Sequence, residues 1–264
     1  MTAERFTAII LAADRNAHDP LLGASGVCCK ALVKIAGTPM LQRVVTALLS
    51  SERIETILLS GPAREYLANS EFLENALNKE QIGWKAAGDS PSSSAWQVMQ
   101  DLADETPVLL TTADHPLLTA GIVDHFLDGA LRSGADLAVG IVTFSAVQDK
   151  FPKAKKTVTR FRDGDFCGCN LFAFLTPESR RVAVAWRKVE QQRKNPLRII
   201  GQLGWWSVLR YLLGRLTLDQ ALTKLSERLD VNIRPVHLPF PEAAIDVDSI
   251  ADQQLVEEIT GTDN

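Results

Sequence analysis

Short apolar runs recur along the first half of the chain, separated by stretches with helical periodicity. Residues 7–13, 56–60, 82–87, 107–112 and 135–143 read as strands. Residues 39–50 place Met40, Leu41, Val44, Val45 and Leu48 at helical spacing. Residues 64–79, 94–103 and 119–133 also read as helices. Strands apolar on both faces, alternating with helices, predict a mostly parallel central sheet flanked by helices on both sides. The expected class is therefore α/β.

The second half changes rhythm. Residues 157–161 and 166–174 flank a turn at Arg162-Asp163-Gly164-Asp165, so they predict two strands joined there. Residues 177–229 look almost wholly helical, 233–238 read as a last strand, and a loop then leads into a terminal helix. No repeat or low-complexity linker interrupts the pattern. The expectation is one domain over residues 1–264, carrying a helical insertion or subdomain at 177–230.

Composition narrows the classes. With 264 residues, 46% of them hydrophobic, the chain has ample material for one large core. A net charge of −4 gives no basic face for phosphodiester backbones, so no nucleic-acid partner is expected. The N-terminal pattern lacks a secretory signature and no apolar run reaches membrane-spanning length, which predicts a cytoplasmic protein. The cysteines, Cys28-Cys29 and Cys167-x-Cys169, fit neither a disulfide framework nor the spacing of structural zinc sites.

Four places carry candidate chemistry. Asp114 follows an all-apolar strand, where open α/β sheets bind ligands, although Asp-x-Pro is also ordinary turn chemistry. Asp246 and Asp248 alternate with Ile245 and Val247, which puts both carboxylates on one face. Such a pair suits a hard divalent cation, while Asp248 has the alternative role of capping the terminal helix. Lys30 closes a long loop and offers a charge for phosphates, or serves as a surface lysine. Gly168 and Asn170 lie beside an apolar strand and offer close approach and an amide to a ligand. Gly37-Thr38-Pro39 reads as a turn with Pro39 at a helix start.

The series "IILAA", a lysine after the next loop, "GTPML", "TTADHPLL", "GCNLF" and "AIDVDSIADQQL" resembles the MobA-like (molybdopterin-guanine dinucleotide synthase-like) nucleotidyltransferases. It covers about residues 6–176 and 231–259. The resemblance implies a Rossmann-like nucleotidyltransferase fold and an enzyme that joins an NTP to a phosphorylated small molecule, releasing pyrophosphate. It implies Mg²⁺ (or Mn²⁺) as cofactor. Carried over, it makes Asp114 and Asp248 metal ligands, with Asp246 the less likely choice for the second place. It gives Arg15, Lys30 and Asp114 catalytic roles, with the positive charge against the NTP phosphates coming from Lys30 and Arg15. Ala12, Ala13, Asp14 and Arg15 form the nucleotide loop, Ser94 lies near the base or ribose, and Gly168 and Asn170 face the acceptor.

The chain departs from that family in its opening loop. Glycines are replaced by Asp14, Arg15, Asn16 and His18, and Pro-Lys by Cys29-Lys30. Positive-φ turns that aim backbone N–H groups at phosphate become harder without glycine. The charge survives in Arg15 and Lys30, so a modified working site is expected. Two rivals are a nucleotide-binding protein without activity and a nucleotide-sugar glycosyltransferase. In the insertion, Trp205, Trp206, Leu209, Leu212 and Leu213 crowd one helical face near Arg198, Arg210 and Arg215. Packing on the sheet, a homodimer interface or lid, and membrane-surface contact through 196–216 are its open roles.

Overall fold

The computed structural model describes residues 4–14, 20–191 and 215–262. In chain order the elements are β1 (Phe6–Leu11), α1 (Pro20–Ser25), a 3-10 turn (Lys30–Leu32), β2 (Lys34–Ile35), β3 (Thr38–Pro39), α2 (Met40–Leu49), β4 (Ile54–Gly61), α3 (Arg64–Leu67) and α4 (Glu71–Asn78). Then follow β5 (Gly83–Ala86), α5 (Pro91–Met99), β6 (Val108–Thr112), α6 (Ala120–Arg132), β7 (Leu137–Thr143), α7 (Phe144–Lys150), β8 (Thr159–Phe161) and β9 (Gly164–Phe174). A second 3-10 turn (Pro177–Arg180), α8 (Arg181–Gln191), α9 (Leu218–Leu229), β10 (Ile233–His237), a third 3-10 turn (Pro241–Ala244) and α10 (Ile250–Thr262) complete it.

The main sheet runs β5-β4-β1-β6-β9-β7-β10, with β8 paired to β9. Strands β5, β4, β1 and β6 are parallel, as are β7 and β10; β9 lies antiparallel between β6 and β7. β1 shows why the strands read as unbroken apolar runs. Ala8 and Ile10 enter one core cluster, and Ile9 enters the cluster on the opposite face. Each fully buried side chain of this size stabilises the fold by roughly 1.5–3 kcal/mol.

Two layers cover the sheet. Val44, Val45 and Leu48 of α2 pack on one face with Ile122, Phe126 and Leu127 of α6 and Val256 of α10. Ala95, Val98 and Met99 of α5 pack on the other with Ala183 and Trp186 of α8 and Leu222 and Leu225 of α9. The described helices of the 177–230 segment therefore help form the second layer. Arg180 fastens that layer: its guanidinium donates to the carbonyls of Met99, Leu102, Ala103 and Thr106.

Local chemistry sets the element ends. Ser90, Thr119 and Thr217 accept first-turn N–H groups of α5, α6 and α9, and Gln220 completes a capping box at Thr217. The predicted helix at 64–79 is two helices, because Ser70 accepts the Leu73 N–H and starts α4 afresh. Ala36 and Gly37 both have positive φ and close the small β2–β3 hairpin. Pro39 ends that hairpin, and α2 begins at the next residue. α7 has no counterpart among the predicted elements: β7 runs straight into it with no glycine or proline between.

Candidate active site

The parallel strands deliver their C-terminal ends to one edge, where an α/β sheet binds ligands. β1 ends there, and Ala12 follows, its N–H donating to Ser60. β6 ends there at Thr112, followed by Asp114. The segment 245–248 runs alongside, joined by the bond from Val247 N–H to the Asp114 carbonyl, 2.9 Å. Ile245 and Val247 are buried while Asp246 and Asp248 are not, so the alternation expected from sequence holds.

Lys30, Asp114 and Asp248 converge. The Lys30 ammonium lies 3.4 Å from Asp114 Oδ2 and in direct contact with Asp248 Oδ1. The Thr112 hydroxyl donates to Asp114 Oδ1 at 2.5 Å and fixes the carboxylate's orientation. Burial works to raise the Asp114 carboxyl, yet the Lys30 ammonium and the Thr112 hydroxyl hold it below the usual carboxylate range. Burial likewise works to lower Lys30, and the two aspartates outweigh it and raise the ammonium.

Asp14 has a plain structural duty. Its carboxylate accepts the Lys30 backbone N–H at 2.9 Å, tying the end of β1 to the residue that closes the loop. This accounts for an acid at the head of the loop. Arg15, with Asn16 and His18, lies outside the described residues, as does most of 196–216. Ser94 is buried, and its hydroxyl accepts the Gly88 N–H at 3.0 Å, so it shapes the turn after β5. Neighbouring Ser92 is bound to Glu190 of α8.

Asp246 does not join the other two aspartates. It pairs with Lys156, from the loop between α7 and β8, and among the described residues no three histidine, cysteine, aspartate or glutamate side chains gather for a metal. Each aspartate of the alternating segment meets a different lysine, so Asp248 rather than Asp246 stands with Asp114 at Lys30. Asp114 and Asp248 alone share one positive group, a donor set that suits a hard divalent cation completed by phosphate and water. Asp248 is not the helix cap either: Ser249 accepts the Asp252 N–H and donates to the Asp252 carboxylate.

Asn170 owes its position to a bulge. Val139 pairs with Phe172 and Ile141 with Gly168, so Gly140 alone opposes three residues of β9. A Cβ on Gly140 would come within 3.1 Å of Leu171 Cβ. Asn170 takes φ 49° there, a conformation Asn tolerates better than most residues. Its Nδ2 lies 2.9 Å from His115 Nε2 and 3.4 Å from the Thr112 hydroxyl. Gly168, on the same strand, is exposed with open space where a Cβ would stand. Burial lowers the pKa of His115, so its ring is neutral. With Asn170 Nδ2 donating, Nε2 supplies the lone pair and Nδ1 carries the proton.

The three buried cysteines take no part as thiolates. Burial pushes Cys29 and Cys169 up to about 12 and raises Cys167 as well, so all three stay protonated and packed. Sequence reasoning missed Lys156 and Thr112. Thr112 had a local signal, since a hydroxyl two residues before Asp114 at a strand end shares its face. Lys156 had none, because "KAKK" reads as a solvated run.

Comparison with known proteins bears on the family and the fold. The family model for the MobA-like NTP transferase domain matches residues 8–161. A hypothetical transferase from Thermus thermophilus superposes with a TM-score of 0.77 at 30% identity, over 94% of this chain and 99% of its own. The 4-diphosphocytidyl-2C-methyl-D-erythritol synthase of Anaerococcus prevotii DSM 20548 gives 0.61 at 15% identity, over 98% and 96%. A CMP:2-keto-3-deoxy-manno-octonic acid synthetase complexed with CTP gives 0.58 at 15% identity, over 98% and 100%. The last two speak for the fold. No curated protein matches the sequence. Among the described residues no helix is long and apolar enough to cross a membrane. The chain belongs to the MobA-like NTP transferase domain family and is a nucleotidyltransferase.

Proposed function

We propose that the enzyme transfers a nucleoside monophosphate from an NTP to a phosphorylated small-molecule acceptor, releasing pyrophosphate, with Mg²⁺ (or Mn²⁺) as cofactor. The observation that carries this reading is the convergence of Lys30, Asp114 and Asp248 beyond the ends of β1 and β6. Mg²⁺ held by Asp114 and Asp248 would supply charge neutralisation and alignment for phosphate oxygens.

The rest falls to the chain's own residues. The loop at Ala12, Ala13 and Asp14 borders the nucleotide, with Asp14 fixing the loop's return at Lys30. Arg15 adds a second cation from the same loop. Lys30 neutralises the charge that develops on the departing pyrophosphate. The turn held by Ser94 borders the base or ribose. Gly168 leaves room for the acceptor, and Asn170 offers it a carbonyl and an amide proton. An acceptor phosphate oxygen attacks the α-phosphorus, a new P–O bond forms, and the bond to the β-phosphate breaks. No side-chain nucleophile is needed; positioning and charge carry the rate. His115, neutral and bonded to Asn170, positions the amide.

The test is a melting-temperature panel of ATP, GTP, CTP and UTP, each with and without Mg²⁺. An NTP at a hundred times its dissociation constant adds about 2.7 kcal/mol of stability. The expected result is a Mg²⁺-dependent rise with one NTP, and pyrophosphate release once a phosphorylated acceptor is added. Stabilisation by nucleotide-diphosphate sugars with no response to any NTP would overturn the reading.

A further inference from the structure

The face of the sheet covered by α2, α6 and α10 carries an open groove of about 1130 Å³. Small-molecule sites commonly measure about 300–1,000 Å³, so the groove has room for a ligand of ordinary size. One wall is α2, with Arg43 and Thr46. The segment 116–120 leading into α6, the end of α7, the segment 239–242 and α10 supply the rest. Its apolar surface includes Leu117, Phe240 and Leu255, each only half-buried against the core. His125 meets the Phe240 ring at 89°, centroids 5.3 Å apart, and steadies that wall. Lys30, Asp114 and Asp248 take no part in the lining.

Charge singles out one residue of this groove. Three cations border it, and two are answered by acids: Lys150 touches Glu242, and Lys153 lies 2.9 Å from Glu258. Arg43 has no carboxylate partner among the described residues. Its Nη2 donates to the Ile35 carbonyl at 3.0 Å, which pins the side chain between α2 and the β2–β3 hairpin. Its Nε is buried without a hydrogen-bond partner. Burial lowers the pKa of the guanidinium, and no neighbouring acid offsets the loss of water. Arginine keeps its charge all the same, so the groove holds one positive charge that the fold leaves unanswered.

A poorly hydrated guanidinium gains from an anion, because charge-assisted hydrogen bonds replace the missing water. The half-buried wall gains from an apolar body that covers it. A bare inorganic anion lacks the body, and a neutral apolar molecule leaves the charge unanswered. The planar guanidinium fork matches a carboxylate. We propose that this groove is a second ligand site, separate from the nucleotide site, for a small monocarboxylate with an apolar body. The carboxylate meets Arg43, and the body lies against Leu117, Phe240 and Leu255.

The experiment titrates 2-naphthoate into the full chain by calorimetry, with 2-naphthamide as a comparator of the same shape without the charge. Wild type is expected to bind the acid about tenfold or more tightly than the amide. Arg43→Met is expected to erase that preference, and Arg43→Lys to keep part of it. Thr46→Phe, at an exposed position on the groove wall, is expected to block both compounds with Arg43 in place. It locates the site even where Arg43→Met fails to fold, which melting curves reveal. Lys30→Met is expected to bind naphthoate as wild type does. Equal affinity for acid and amide overturns the proposal, as does naphthoate affinity that survives Arg43→Met or Thr46→Phe. Loss of binding in Lys30→Met places the anion in the nucleotide site and overturns it too. So does the absence of binding to wild type at millimolar naphthoate. If Thr46→Phe instead splits a dimer of the chain, a second copy covers the groove and the proposal falls.

Discussion

The two lysine–aspartate pairs at the sheet edge are built from the same parts and behave differently. Lys30 sits between Asp114 and Asp248, and Asp248 is 68% exposed. Among the described residues Lys156 pairs with Asp246 alone, and both are largely enclosed. The first pair is shared and open, so its cation is free to exchange partners when charge arrives. The second is a closed one-to-one contact, so it acts as a fixed post. A site that handles a departing pyrophosphate and an incoming acceptor has use for both kinds.

Removing the charge at the open pair should give the largest effect. Asp114→Asn keeps the shape and the bond to Thr112 but loses the charge, and turnover with NTP and acceptor should fall about 100-fold or more. Retained turnover would mean the open pair is structural, and the comparison would collapse.

The pairs should separate next in stability. Lys156→Met leaves Asp246 enclosed without its cation, at a cost on the order of 1–3 kcal/mol. Lys30→Met leaves Asp248 in water, and Asp114, though enclosed, keeps the Thr112 hydroxyl as a partner, so its cost should be the smaller of the two. Melting of the ligand-free proteins checks this. Equal losses would show that the enclosed pair is no stiffer than the open one.

The smallest effect concerns the residue beside the closed pair. Asn170→Ala loses the amide and strains a left-handed backbone, costing about 1 kcal/mol or more. Asn170→Gly loses the amide without that strain. Denaturant midpoints should therefore rank glycine above alanine, with both weak in acceptor use. If alanine is the more stable of the two, the bulge does not hold that conformation and the amide's aim has another cause.

Much of the fold was legible along the chain. Residues such as Ile9 and Ile10 read as a doubly covered strand because burial on both faces demands apolar side chains at every position. Lys30, Asp114 and Asp248 were legible mainly through their order along the chain, since each alone also reads as a surface lysine, a turn acid or a helix cap. The α7 helix was not legible, because no breaker separates it from β7. Nor was the split between α3 and α4, where one serine decides.

By itself, the sequence determined the order and type of most elements, the two-sided cover of the sheet, and the identity of the acids and the lysine gathered at its edge. These follow from patterning with period 2 or 3.6 and from short-range cap and turn chemistry, all of which act within a few residues. Only the tertiary structure decided which lysine meets which aspartate. Lys156 and Asp246 are 90 residues apart, and Lys30 and Asp248 are 218 apart. The antiparallel place of β9 between β6 and β7, and the bulge that turns Asn170 toward His115, belong to the same class. Such pairings arise when distant strands settle into register, and no local pattern records which partner will lie across the gap.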